Sequence, residues 1–252
     1  MADFRALLAC SVLLWSVSAQ AQVNVEPLRQ QLKEDGWGGR LQASVATYAG
    51  NTEGVILGSA AFFGARGLRN VVYTTLSGDY ARLNGTVSVA KWFAHARHNY
   101  ELSDMLWWEV YGQLESDRFR RVAVRELVGT GPRVGLLQTD AVELFYGVSY
   151  MYEHQDYSTE ELDADRTAHR ISNYLAVTVK AQERIVLSNV TYAQPRLTRF
   201  KDVDLLSVSS ADFTVTKRLH SRLDAVVRYS SVVPSDIERF DVELKNSLEF
   251  LF

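Results

Sequence analysis

The residues of this chain best suited to catalysis or metal binding are a few histidines and serines, and their spacing argues against both roles. His95 and His98 are three positions apart, which on a helix would let them share a metal. The residues around them alternate with period two, however, and on a strand positions three apart point to opposite faces. One is therefore expected inside a sheet-built structure and the other outside, with no joint metal site. Ser88 has the parity to share a face with His98, yet ten residues of extended chain put them about 33 Å apart, far beyond proton-transfer reach. Gly129-Thr130-Gly131-Pro132-Arg133 has glycines where a phosphate loop would, but neither a helix start nor a lysine–serine pair follows, so a bent strand is expected. The acidic run at 154–169, with Asp156, Glu160, Glu161, Asp163 and Asp165, could attract divalent cations through its carboxylates. It lacks the central glycine and spacing of a helix–loop–helix calcium site and reads as a solvated loop. No catalytic residue, metal site or cofactor is assigned.

A larger polar set is organised by parity. Glu109, Glu115, Lys180, Asp224, Arg228, Asp241, Glu243, Lys245 and Glu249 each fall on the polar face of an alternating stretch. If those stretches close on themselves, these side chains project into a lumen. Interleaved acids and bases could pair across it and plug it, whereas a wall of one sign would select charged solutes. Both signs are present and no arginine ladder is evident, so pairing is favoured, because charges withdrawn from water need partners.

The elements that must position this set begin with the clearest one, residues 240–252. Phe240, Val242, Leu244, Leu248, Phe250 and Phe252 share one face, broken by Asn246, and Asp241, Glu243, Lys245, Ser247 and Glu249 share the other. This strand ends on an aromatic residue and looks like the targeting strand that outer-membrane assembly machinery reads. Residues 1–21 agree with export: Arg5, an apolar run, then Ala19-Gln20-Ala21, the small-x-small pattern of a secretory signal. Cys10 is the only cysteine, so cleavage after Ala21 would leave a chain without thiol chemistry. Residues 22–38 read as a periplasmic lead-in.

Eleven further stretches alternate or carry strand-forming residues: 40–48, 55–63, 71–82, 86–100, 106–115, 122–137, 142–152, 171–181, 185–193, 203–215 and 223–231. With Leu83-Asn84-Gly85 as a hairpin signal, the expectation is an all-β, antiparallel, up-and-down transmembrane barrel of about 12 strands over residues 39–252. Connections on the side of the termini are short, and those opposite include the acidic run and longer links near Pro195 and Pro234. Aromatic residues near strand ends, including Phe63, Tyr80, Trp92, Tyr100 and Tyr152, would form interfacial girdles. The competing fold, a soluble periplasmic sandwich, would have to hide all these aromatic faces against a second sheet. A net charge of −3 with no basic stripe argues against a nucleic-acid partner.

Gly50-Asn51-Thr52-Glu53, Tyr100-Glu101-Leu102-Ser103-Asp104, Asp117-Arg118-Phe119-Arg120 and Gly129-Thr130-Gly131 together resemble the bacterial domain of unknown function 481 family, which includes salt-stress-induced outer-membrane proteins. That resemblance implies an outer-membrane barrel without an established activity. The expected surroundings are outer-membrane lipid and lipopolysaccharide, with the assembly machinery as partner of the last strand and a monomer as the working unit. The expected roles are structural, in envelope stress, or as a narrow channel. An outer-membrane lipid hydrolase of the phospholipase kind is the alternative.

Overall fold

The computed structural model describes residue 32 and residues 35–48, 54–158 and 167–252. The secretory signal, most of the lead-in, the 49–53 turn and residues 159–166 of the acidic run lie outside them. The described chain forms β1 (Gly36–Tyr48), β2 (Gly54–Gly67), β3 (Asn70–Leu83), β4 (Thr86–Ser103), β5 (Leu106–Asp117), β6 (Val122–Gln138), β7 (Val142–Tyr157), β8 (Thr167–Gln182), β9 (Ile185–Arg196), β10 (Arg199–Thr214), β11 (Leu219–Ser230) and β12 (Phe240–Leu251). Every strand runs antiparallel to its sequence neighbours, and β1 pairs with β12, so the sheet closes into a barrel. Closure leaves no strand edge to hydrogen-bond with solvent or lipid.

Several strands run past the point where side-chain alternation fades, because the backbone ladder continues regardless of side-chain type. Residues 36–38, placed in the lead-in from sequence, are the first residues of β1. The long link expected near Pro195 is instead a tight turn at 197–198. β9 and β10 extend to meet there, with an irregular register between Arg199 and Val203. Asn84 and Gly85 form the β3–β4 hairpin with φ of 48° and 78°, the two positive values that a type I′ turn requires. No bulge falls at Gly129 to Pro132: β6 keeps one register with β7 from Thr130↔Tyr150 to Arg133↔Gly147, and its shifts fall near the strand ends.

The two faces of the wall differ in chemistry. Outside, large apolar residues stand exposed around the circumference, among them Leu76, Trp92, Trp108, Val128, Tyr150, Leu175, Leu187, Leu223, Leu244 and Phe250. A belt of this kind is stable against lipid chains and not against water. Inside, charged residues and aromatic rings alternate with the outer set and are buried. The ends also differ. At the end carrying the termini, the turn end, strands are joined at 68–69, 104–105, 139–141, 183–184 and 215–218; the opposite loop end carries the 158–166 and 231–239 connections.

The seam between first and last strands is short, pairing Arg40↔Leu251 through Ala43↔Leu248. The C-terminal residue extends it, with the Phe252 amide donating to the Gly39 carbonyl at 3.1 Å and the Gly39 amide donating to the Phe252 carbonyl at 3.0 Å. Glycine at position 39 makes room for the Phe252 ring, which an added Cβ would meet at 2.5 Å and displace.

Candidate functional site

The site is the barrel's interior, built from alternate residues of all strands. At mid-lumen, Glu109 on β5 is 2% exposed and gathers three groups, one from each of three other strands. The Tyr174 hydroxyl donates to it at 2.7 Å, Arg97 Nη1 lies 3.5 Å and Arg133 Nη1 3.7 Å away. Arg133, fully buried, also donates to the Tyr174 hydroxyl at 3.2 Å, and its guanidinium sits 3.9 Å over the Phe145 ring. Arg97 lies 4.9 Å over Tyr111. Trp107 packs edge-on against Phe145, and Tyr174 against Tyr192, giving an aromatic and ionic layer. The glycines of β6 and β7 make this layer possible. A Cβ on Gly129 would enter the Tyr111 ring and one on Gly147 the Tyr174 ring, which is what their small size supplies.

Toward the turn end, Arg40 and Arg222 hold three carboxylates. Arg40 bonds Glu249 across the seam and Asp212 Oδ1 at 3.1 Å. Arg222 Nε donates to Asp224 at 2.9 Å, and its Nη1 lies 3.7 Å from Asp212 and 3.8 Å from Glu249. Beside them Leu32 enters the lumen and is buried against Phe62, Val71 and Tyr73. Further along β12, a lysine pair is balanced by acids from β3 and β12, with Lys91 3.4 Å from Asp79 and 3.8 Å from Glu243, and Lys245 3.2 Å from Asp79.

At the loop end the lumen widens into a cavity of about 140 Å³. Arg125 bridges Glu115 at 3.1 Å and Glu153, while Arg170 reaches Glu153 at 3.1 Å, Asp202 at 3.0 Å and Asp204 at 3.3 Å. Arg196 approaches Asp202 at 3.7 Å. Arg120 and Arg228 complete the charged lining, Val232, Val233, Pro234 and Ile237 form an apolar rim, and Gln194 and Leu206 also line it. Gln194 lies next to the aromatic layer: its amide donates to Ser172 at 3.1 Å, and it also borders an interior void of about 10 Å³ shared with Arg97, Tyr111 and Tyr174.

Of the charged positions singled out from sequence, Glu109, Glu115, Asp224, Arg228, Glu243 and Glu249 are buried inside the barrel. Asp241 and Lys245 are half-buried on the same face of β12. Lys180 shares the inward parity of β8 but is exposed, lying three residues before the turn that begins at 183. On the opposite face of β12, Phe240, Val242, Leu244, Leu248, Phe250 and Phe252 are all exposed on the outer wall. His95 is buried in the lumen, stacked with Phe93 and Tyr111, whereas His98 meets Asn70 at 2.9 Å on the other face. The Ser88 hydroxyl donates to the Thr86 carbonyl, and the structure does not bring it to His98.

Sequence reasoning missed Arg40, Asp79, Lys91, Arg97, Arg125, Arg133, Glu153, Arg170, Asp202 and Asp212. The parity of β4 could have found Lys91 and Arg97, which alternate with Trp92, Ala94 and Ala96. Asp202 lies in a stretch read as a link, and the polar insertion reaches to the residue before Arg170.

A closed, twelve-stranded antiparallel barrel with an apolar outer wall and a charged interior defines a transmembrane barrel of the outer-membrane type. The chain is similar in fold to the NanC porin, with a TM-score of 0.50 at 9% identity over 86% of this chain and 98% of that one. Other matches are the KdgM porin (TM-score 0.47, 8% identity, 86% and 99% covered) and the translocator domain of the autotransporter NalP from Neisseria meningitidis (0.45, 12%, 90% and 92%). No curated protein sequence matches the chain. By sequence the chain belongs to the family described as protein of unknown function, DUF481, whose model covers residues 41–252.

Proposed function

We propose that the protein sits in the bacterial outer membrane as a monomeric barrel with a closed lumen, serving the envelope as a structural element and not as an open pore. The turn end would face the periplasm and the loop end the outside, where lipopolysaccharide surrounds it; β12 would be the strand the assembly machinery engages. The observation that carries this reading is the layer around Glu109. Arg97, Arg133 and Tyr174 meet Glu109 there, Arg97 lies over Tyr111, and the neighbouring void of about 10 Å³ has room for about one water molecule. Opening a path would mean separating buried guanidinium–carboxylate pairs, each costly to break. A narrow channel is the second reading, favoured by the loop-end cavity, which brings water part of the way into the lumen.

Liposome swelling distinguishes the two. Vesicles carrying the refolded full chain are expected to swell in small neutral sugars no faster than empty vesicles. Swelling that scales with the protein-to-lipid ratio would replace the structural reading with the channel.

A further inference from the structure

We propose that the loop-end cavity binds a neutral sugar through one pyranose ring entering from that end. The charged wall of the cavity is paired within the protein. Arg125 bonds Glu153 and lies 3.1 Å from Glu115, and Arg170 lies 3.1 Å from Glu153, 3.0 Å from Asp202 and 3.3 Å from Asp204. Arg196 follows at 3.7 Å from Asp202, and Glu115 and Asp117 balance Arg228. A charged ligand would have to part such pairs, which is costly in a site partly shielded from water. A neutral hydroxyl parts none, because it donates to a carboxylate and accepts from the neighbouring guanidinium while the two stay together.

Two neutral side chains point to the same ligand class. Gln155 and Tyr157, at the loop end of β7, line the cavity and are half-buried. Neither makes a side-chain hydrogen bond with any described residue. An amide offers two donors and an acceptor, and a phenol offers a donor with acceptor capacity, a set that reads hydroxyl groups and not charge. Asp202 adds acceptor sites, since an ionised carboxylate has about four and its two oxygens meet one guanidinium each.

Size and apolar surface fit a single ring. A cavity of about 140 Å³ is comparable to one that holds a six-membered ring. A sugar presents C–H bonds as well as hydroxyls. Tyr157 brings an aromatic ring, whose negative face attracts such bonds, and Val232, Val233, Pro234 and Ile237 give an apolar rim for the remainder. The ion pairs hold the wall in place on β6, β7, β8, β9 and β10, so the polar groups are positioned before a ligand arrives. The site can fill whether or not the lumen conducts, so binding and swelling assays fail independently.

The test is calorimetric titration of the refolded full chain, in micelles of an amine-oxide detergent that carries neither sugar nor phosphate. The probes are the methyl pyranosides of glucose, galactose and mannose, an oligosaccharide released from lipopolysaccharide, and inorganic phosphate. A single saturable site is expected for at least one pyranoside and none for phosphate. Gln155→Leu and Tyr157→Phe should each weaken it about fivefold or more, the effect of losing one hydrogen bond. Tyr146→Phe should leave it unchanged, since the Tyr146 hydroxyl lies on the outer wall and bonds Asn173. Gln155 and Tyr157 take no part in the ion pairs of the wall, so both variants are expected to refold, which heat-modifiable electrophoresis checks. No saturable binding by any pyranoside, or unchanged binding in both folded variants, would overturn the proposal. Binding of the oligosaccharide alone would also overturn it, because recognition would then need more than one ring.

Discussion

Glu109 is an anion shared by two buried guanidiniums, which makes it the residue on which mid-lumen packing depends. Replacing it with alanine takes the carboxylate away from both Arg97 and Arg133 and removes an acceptor of the Tyr174 hydroxyl. Glu109→Ala is expected to destabilise the barrel by about 3–5 kcal/mol, the range for stripping one partner from a buried pair. Urea unfolding in vesicles, followed by tryptophan fluorescence, measures it, and a loss below about 1 kcal/mol would mean that water reaches the arginines. Residues of this kind are half legible in the sequence. The alternation of β5 shows which way Glu109 points, because Trp108 and Val110 flank it. Its partners are not legible: Arg133 follows a glycine–proline pair that reads as a bend, and Tyr174 lies 65 positions away. The glycines misled because their function is to make space for rings on other strands, and sequence spacing carries no trace of that.

Among the elements, β12 carries most of the testable consequences. Its outer face includes Leu244, 55% exposed near the middle of the strand. An arginine there would stand in the lipid, and Leu244→Arg should cost roughly 2–4 kcal/mol, whereas Lys245→Ala should cost much less because Lys91 still holds Asp79. Deleting Phe252 removes two main-chain hydrogen bonds at the seam and the ring packed on Gly39. Heat-modifiable electrophoresis of membrane fractions is expected to show a sharp fall in folded barrel, and wild-type levels would count against the role given to this strand. The inner face of the seam relies on Arg40 and Glu249. Arg40→Ala should destabilise more than the double variant Arg40→Met, Glu249→Met, because the single change takes Arg40 from both Glu249 and Asp212, while the double change leaves only Asp212, which Arg222 still approaches at 3.7 Å. Equal losses would show that the pair is solvated.

At the scale of the whole molecule, the fold was legible because its cause is repetitive. Period-two alternation and short turns on one side both follow from closing a sheet in lipid. Strand lengths were underestimated wherever polar residues sit at the loop end, as in β8 and β10, because backbone pairing there continues without an apolar face to mark it. The filling of the lumen was not legible. Which charges meet depends on the stagger of the strands around the circumference, as in Arg40 on β1 reaching Asp212 on β10, and single-strand patterns do not encode stagger. The central claim, that the interior is closed by interlocked pairs and rings, is tested most directly by single-channel recording of the refolded chain in a planar bilayer. The account predicts insertion without discrete current steps in wild type and steps only when the layer is opened, as in a combined Glu109→Ala and Tyr174→Ala variant. Regular steps from the wild-type protein at modest voltage would contradict it.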